Sequence, residues 1–580
     1  MRKIIFLICV FWFIATTVTS ADTPLFIHTT QLEDTLPQLA DKYYRDPETW
    51  PAIWLATNNA AATDSRFTAI ASPFVLRPGQ PLVIPSQREA DRLIAEAKVV
   101  DALPVRPSEV QPLTHAWLAD FSATVEDTRQ HFGIPGVAVA IVRDNQIVLA
   151  EGFGIRELGQ DAPITPQTLF AVGSTTKAMN AAMIASLIDD GVLDWDQPVR
   201  DIWPDFQLDD PDLASQIRVR DLLNMTSGVL RADLEWSGLG MSPEQIMTSL
   251  AELPVDEMPG EHFHYNNQVV ATGGYVAALA AGSTLDNLDQ TYAELLQQRV
   301  FDPTGMSSAS LSMEAAQASS NHATPHDFTL FGEAVPTHYH IDTGIAPAGG
   351  VAASVLDLAH FVMMQLNRGV SQTGTRVVSS ENLTETWRPQ IEIVPDFSYG
   401  MGWFIEKYGD VEMIWHDGDV LGFKSLMVMV PEANIGMVLI TNRTISFGFG
   451  NSLRYGFVEA LYDLDADAAE VYKTQWDDFM EALPEIREPL AETVSEEEVA
   501  AYVGQYELGW RVERREDGTF WTVRGPYQWR LLAADDGEFI INNGFGITSQ
   551  IIFEPIEDGS MHMSVIMSSG ETGSYLRISP

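Results

Sequence analysis

A chain of 580 residues with a formal net charge of −46 has no surplus of Lys and Arg to displace counterions from a phosphate backbone. Nucleic acid is therefore excluded as a natural partner, and electrostatic docking on anionic lipid is disfavoured. The length calls for several cores, and 46% hydrophobic with 10% aromatic residues is the composition of folded globular protein rather than of a disordered or fibrous chain.

Arg2 and Lys3 precede an apolar run from Ile4 to Ala15 and then small and polar residues up to Ala21, the pattern of a secretory signal over residues 1–21. Export is expected, to a periplasm, a cell wall or the medium. The apolar run is shorter than the roughly 20 residues that cross a bilayer, and no later stretch reaches that length, so no membrane span is expected. The single cysteine, Cys9, lies inside this leader. A mature chain without it has no disulfide, no cysteine nucleophile and no cysteine-ligated metal.

Residues 25–85 read as strand, helix, helix, strand. Asp34-Thr35-Leu36 opens a helix with Leu36, Leu39, Ala40 and Tyr43 on one face, a second helix carries Trp50, Ile53 and Trp54, and the turn Pro78-Gly79-Gln80 leads into Leu82-Val83-Ile84-Pro85. On Asp34-Thr35-Leu36, Ala40, Trp50, Ile53, Asn58, Pro78-Gly79-Gln80, Leu82 and Ile84-Pro85 this βααβ unit resembles a LysM domain. The resemblance implies binding to peptidoglycan or another N-acetylglucosamine glycan, and a spacer that keeps the fold without the ligand is the alternative. Residues 86–112, rich in Ala and charge and then in Pro, read as a linker.

A larger α/β unit is expected over 113–464. Gly136–Val142 and Gln146–Ala150 are apolar runs joined by Arg143-Asp144-Asn145, a predicted hairpin, and Leu426–Val430 and Val438–Thr441 read as further strands. Residues 465–494 form an acidic, helical connector, and 495–580 alternate short strands with Gly and Asp turns, a small all-β domain.

Gly173-Ser174-Thr175-Thr176-Lys177 enters a helical stretch, which sets Ser174 and Lys177 one turn apart on one face. A serine hydroxyl needs a neighbouring base to become a nucleophile, and a lysine whose pKa is lowered by burial can be that base. Alone, the pair is a weak signal. Downstream lie Tyr265-Asn266-Asn267 and His416-Asp417-Gly418, and with Leu222-Leu223-Asn224-Met225-Thr226-Ser227-Gly228 and Phe301-Asp302-Pro303-Thr304-Gly305-Met306 these motifs, in this order, resemble class C serine β-lactamases, penicillin-binding proteins and their esterase and D-aminopeptidase relatives.

That resemblance implies an antiparallel sheet flanked by helices with a helical subdomain. It also implies acylation of Ser174, proton transfers shared by Lys177 and Tyr265, and positioning by Asn267. The oxyanion hole would combine the backbone N–H of Ser174 with that of Asp419, and His416, Asp417, Gly418 and Asp419 would meet the substrate. This chemistry calls for no cofactor. The relatives typically carry a cation and a hydroxyl where this chain has His416 and Asp417, and two carboxylates, Asp417 and Asp419, beside a neutral imidazole would repel an anionic ligand. A neutral ester or amide is thus expected over a penicillin. A true β-lactamase or D-Ala-D-Ala carboxypeptidase, and an inactive cell-wall or penicillin-binding protein, stay open as alternatives. Two histidine pairs, His262 with His264 and His338 with His340, have the same-face spacing of a strand but no third ligand at a recognisable distance, so they are expected to be loop residues rather than zinc ligands.

Overall fold

The computed structural model describes residues 110–580, apart from 256, 339, 445–447, 465–466, 489, 491–498, 535–537, 542–548, 557–559, 567–571 and 580. Before 110 it describes 26–30, 36–45, 49–61, 66–67, 80–87, 89–90 and 92–93, so the expected signal over 1–21, Asp34-Thr35, Pro78-Gly79 and most of the expected linker lie outside the described residues. Two compact units divide the chain near Ala102.

In the first unit, β1 (Phe26–Thr29), α1 (Leu36–Tyr44), α2 (Trp50–Ala61) and β2 (Pro81–Ile84) follow in that order, and β1 pairs antiparallel with β2, Phe26 opposite Ile84. Leu36, Leu39 and Ala40 on α1, Trp50 and Ile53 on α2, and Leu82, Val83 and Ile84 on β2 are buried. Thr57 Oγ1 accepts from the Val83 amide at 3.0 Å, tying α2 to β2.

The second unit is built on an eight-stranded antiparallel sheet. In chain order its strands are β3 (Gly136–Arg143), β4 (Gln146–Gly154), β5 (Ile391–Val394), β6 (Phe397–Tyr399), β7 (Phe404–Tyr408), β8 (Val411–Val420), β9 (Phe423–Val430) and β10 (Ile435–Thr441), arranged β4-β3-β10-β9-β8-β7-β6-β5. The β3–β4 hairpin turns on Asp144 and Asn145, both at positive φ (49° and 61°), as a two-residue turn matched to strand twist requires.

The central strands are buried on both faces, which explains their unbroken apolar runs. Along β3, Ala138, Ala140 and Val142 enter one core while Val137, Val139 and Ile141 enter the other. The first core also takes the helices α4 (Thr176–Asp189), α5 (Asn267–Ala280) and α6 (Val355–Leu366). The second takes α3 (His115–His131), α7 (Phe449–Tyr462) and α8 (Ala468–Arg487).

The helix of the expected acidic connector, α8, packs on the second core. Trp476, Phe479 and Leu483 on α8 are buried against the sheet side that holds Phe132 and Phe328, and a buried apolar side chain of this size contributes about 1.5–3 kcal/mol. Its acidic residues had hidden a 3.6-residue apolar stripe.

The C-terminal β domain is a closed barrel of eight antiparallel strands, from Gly504–Tyr506 to Thr572–Ser579. Closure leaves no sheet edge exposed. The barrel core includes Leu234, which belongs to a loop of the sheet-and-helix part, and Arg524 on the barrel donates Nη1 to the carbonyl of that same Leu234. Tyr527 donates its hydroxyl to Asp342 Oδ2 at 2.9 Å. No helix among the described residues is long and apolar enough to cross a membrane.

Candidate active site

Ser174 sits in a single 3-10 turn, Gly173–Thr175, that feeds directly into α4. Gly173 holds φ +54°, and a Cβ there would lie 2.9 Å from the Asp419 carbonyl oxygen, so the turn requires glycine both for conformation and for closeness to β8. Thr175 Oγ1 donates to Val172 O at 2.9 Å, and Ser425 Oγ on β9 donates to the same carbonyl at 2.6 Å. The nucleophile turn is thereby pinned to the sheet.

Lys177, one turn later, is 1% exposed. Its Nζ lies 2.9 Å from Ser174 Oγ, 2.8 Å from Asn267 Oδ1 and 2.8 Å from the Ala348 carbonyl. Asn267 Nδ2 reaches Asp233 Oδ1 at 3.2 Å, and because a carboxylate only accepts, the amide must turn its oxygen to the lysine. Burial pushes Lys177 down from the ordinary lysine value to about 7, opposed by Asp233 and Asp417 and assisted by Arg231. A neutral amine has two N–H groups and one lone pair. With both carbonyl oxygens able only to accept, the two N–H groups go to Asn267 and Ala348, and the lone pair is left for the Ser174 hydroxyl.

Tyr265 precedes α5, which is capped by the Asn266 side chain accepting from the Val269 amide. His264 donates its amide to Met225 O at 2.7 Å and Asn266 its amide to Met225 Sδ at 3.4 Å, so the Asn224–Gly228 motif holds Tyr265 from behind. Tyr265 lines the same cavity as Ser174, and Lys177 Nζ is 4.8 Å from its ring centroid. Burial raises the phenol above its ordinary value, which keeps it protonated.

On β8, Trp415 is the last residue paired with β7, and His416–Val420 pair with β9 alone. This edge faces the Ser174 turn. Along this strand Asp417 and Asp419 line the cavity, whereas His416 is buried behind it and Gly418 packs against the Ser174 turn. His416 is buried, with Nδ1 donating to Asp417 O and Nε2 accepting from Tyr399 Oη at 3.2 Å. Burial, with Lys177 nearby, pushes its pKa down to about 4, so it is neutral for this reason and not because its value is ordinary. Gly418 packs against the turn: a Cβ there would stand 2.1 Å from Val172 O and 2.9 Å from the Ser174 amide nitrogen.

Lys424 offsets part of the charge of the two carboxylates. Its Nζ lies 2.9 Å from Asp417 Oδ2 and 2.7 Å from Asp419 Oδ2. Partial burial opposes the charge on Asp417, yet Lys424 carries its carboxyl below the ordinary range, while burial and the Asp417 charge lift Asp419 above it. The signal was present in the sequence, since a tight turn at Leu421-Gly422 sets Lys424 directly opposite Asp419.

The cavity in front of Ser174 measures about 460 Å³. Tyr265, Asn267, Arg231 and Asp233 line one side, the last two as an ion pair. Trp510, Arg524, Tyr527, Trp529 and Ile541 of the barrel line another, and nothing in the barrel sequence had marked them as site residues. His262 and His264 share the Glu257 carboxylate, His340 pairs with Asp342, and among the described residues no group of three or more His, Cys, Asp or Glu could hold a metal ion.

Comparison with known proteins places this geometry. A family model described as Beta-lactamase matches residues 121–457, more than half of the chain. The chain is 26% identical over 366 residues to the unguisins hydrolase ungD′ of Aspergillus campestris, covering 60% of this chain and 66% of that protein, just under two thirds of its length. It is 26% identical over 351 residues to penicillin-binding protein 4 of Amycolatopsis lactamdurans, covering 59% of this chain and 89% of that one. Among solved structures, the octameric penicillin-binding protein homologue from Pyrococcus abyssi superposes with a TM-score of 0.53 at 21% identity, covering 79% of this chain and 99% of that one, a likeness of fold. The matched stretch carries Ser174, Lys177, Tyr265 and the strand from His416 to Asp419, and the chain belongs to the Beta-lactamase family of serine hydrolases.

Proposed function

We propose that this protein is an exported serine hydrolase that forms an acyl-enzyme at Ser174 from a neutral ester or amide, with Lys177 as the resting base. The observation that carries the reading is the lysine's surroundings: a buried Nζ held by two carbonyl oxygens, with its third contact the serine hydroxyl at 2.9 Å. A phenol at or above its ordinary value is ionised in fewer than about one molecule in a thousand at pH 7, whereas a lysine near 7 is neutral in about half. Tyr265 is then the donor that returns a proton to the leaving group, and water releases the acyl group. The backbone N–H groups of Ser174 and Asp419 are the oxyanion donors in this reading.

An intact base and nucleophile argue against an inactive domain. Against a carboxylate-bearing substrate stands a strand edge whose one cation, Lys424, is already shared by two carboxylates. The test is a screen of the purified chain against short-chain p-nitrophenyl esters, neutral D-amino-acid amides and a cephalosporin, with Ser174→Ala as control. Turnover that survives Ser174→Ala overturns the assignment, and efficient cephalosporin turnover with esters untouched overturns the substrate class.

Because Lys177 acts when neutral, kcat/KM is expected to rise about tenfold per pH unit below 7 and to level off above it. A profile flat from pH 5 to 9 removes the lysine from the base role. Lys424→Met leaves Asp417 and Asp419 without their shared cation, and should lower kcat/KM for an anionic p-nitrophenyl ester about tenfold more than for a neutral one.

The same reading takes residues 25–85 as a LysM-like module that holds the hydrolase near peptidoglycan, supported by the order β1, α1, α2, β2 and the pairing of its two strands. A chain lacking these residues should no longer sediment with insoluble peptidoglycan, while the full chain does. Equal sedimentation of both chains would leave the module as a spacer.

A further inference from the structure

The barrel grips the loop from Arg231 to Gly238 at two points. Leu234, in the 3-10 turn Asp233–Glu235, is buried and belongs to the barrel core, and its carbonyl accepts from Arg524 Nη1. Arg524 Nε donates to the Leu508 carbonyl at 3.1 Å, so one buried guanidinium joins the loop to the barrel backbone. Four residues on, the Gly238 amide donates to Asp342 Oδ2 at 3.1 Å, the same oxygen that accepts from Tyr527 Oη at 2.9 Å. The fit there is backbone on backbone: a Cβ on Gly238 would lie 2.7 Å from Arg524 O, and one on Gly525 2.1 Å from Gly238 O. Neither approach leaves room for a side chain.

Asp233, joined to Leu234 by one peptide bond, reaches the catalytic residues. Its Oδ2 accepts from Arg231 Nε at 2.7 Å, and its Oδ1 accepts from Asn267 Nδ2 at 3.2 Å. That second bond is what turns Asn267 Oδ1 to Lys177 Nζ, 2.8 Å away. If Asp233 moved off, the Asn267 amide could turn over and set its NH₂ group against the lysine's own N–H groups, two donors face to face. The chain of contacts from Arg524 through Leu234, Asp233 and Asn267 to Lys177 therefore links the barrel to the base without a barrel side chain touching it.

We propose that the barrel positions the catalytic machinery, its turn from Arg524 to Tyr527 fixing the loop so that Asp233 keeps the Asn267 oxygen on Lys177. The inference rests on the reading of Lys177 as the base of a Ser174 hydrolase. Arg524 and Leu234 are positioning residues in it, because they act through Asp233.

A double-mutant cycle on the full-length chain tests the linkage, with kcat for a p-nitrophenyl ester measured near pH 9, above the lysine's value of about 7. Arg524→Met, which removes the donor to Leu234, should lower kcat about tenfold or more in the otherwise unaltered chain. In an Asp233→Ala background, where the linkage is already cut, it should change kcat by no more than about twofold. Leu234→Ala loosens the loop from the other side and runs the same cycle should Arg524→Met not fold. Equal losses in the two backgrounds overturn the proposal.

The pH profile adds a readout that mere loss of packing does not give. Lys177 is faced by Asp233 and Arg231 from the loop, Asp417 and His416 from β8, and Tyr265 ahead of α5, and Asp233 is the foremost of the charges that raise it. Asp233→Asn keeps the shape and removes the charge, so the rise in kcat/KM should shift to lower pH, and an unmoved rise overturns the placement of Asp233 beside the lysine. A flat profile in the unaltered chain overturns the lysine reading and this proposal with it. A rise through about pH 7 without coupling in the cycle overturns the positioning role alone.

Discussion

Lys177→Ala is expected to slow acylation of Ser174 by about 10²–10⁴, the range for loss of a positioned proton acceptor. The size follows from what remains once the amine is gone. Tyr265 stays a protonated phenol, Asn267 Oδ1 and the Ala348 carbonyl lose the donor they share, and no other group lies where the lysine lone pair met the hydroxyl. Tyr265→Phe should fall in the same range for a different reason, because it removes a proton donor and leaves the base in place. The pH profiles tell the two apart. Lys177→Ala should erase the rise through about pH 7, and Tyr265→Phe should retain it. Stopped-flow acylation by a p-nitrophenyl ester measures both, and near-wild-type rates in Lys177→Ala would take the lysine out of the mechanism.

What the sequence disclosed and what it withheld divide along one physical line. Contacts local in the chain were legible: Ser174 and Lys177 share a helical turn, Asp144-Asn145 is hairpin chemistry, and β3 and β10 are apolar throughout because helices cover both faces. Contacts made across the fold were not. His416 read as an imidazole neutral by its ordinary pKa until burial beside Tyr399 gave that neutrality another cause, whereas Lys424, five residues from Asp419 and seven from Asp417, was within reach of the sequence through the tight turn between them. The barrel was legible as an all-β domain from its alternation, but its part in the cavity depends on Leu234 entering the barrel core and Tyr527 meeting Asp342, pairings that join positions nearly two hundred residues or more apart. The helix over Ala468–Arg487 is the intermediate case, because its acidic face is visible in composition and its packing face only in periodicity.

Gly418→Ala tests the oxyanion hole through the packing of its strand against the nucleophile turn. The strand end from His416 to Val420 is held on β9 and lies against the nucleophile turn with no room to spare: the added methyl would stand 2.1 Å from Val172 O, 2.6 Å from Ser425 Oγ and 2.9 Å from the Ser174 amide nitrogen. None of these yields easily. Val172 O already accepts from both Thr175 and Ser425, and the Ser174 amide belongs to the turn that positions the nucleophile. The strand must therefore move away from the turn, and the Asp419 amide moves with it. An oxyanion gains from two donors only while both stay about 2.7–3.1 Å from the position it will occupy, and loss of one typically costs about 10²–10³ in kcat. Gly418→Ala is expected to lower kcat by that amount with KM little changed, since the displaced amide serves the transition state more than the bound substrate. The pH dependence should keep its rise through about 7, because Lys177, Asn267 and Ala348 are untouched. A variant with normal kcat would mean that the Asp419 amide is not an oxyanion donor, and a variant that lost the pH dependence as well would mean that the whole nucleophile turn had shifted.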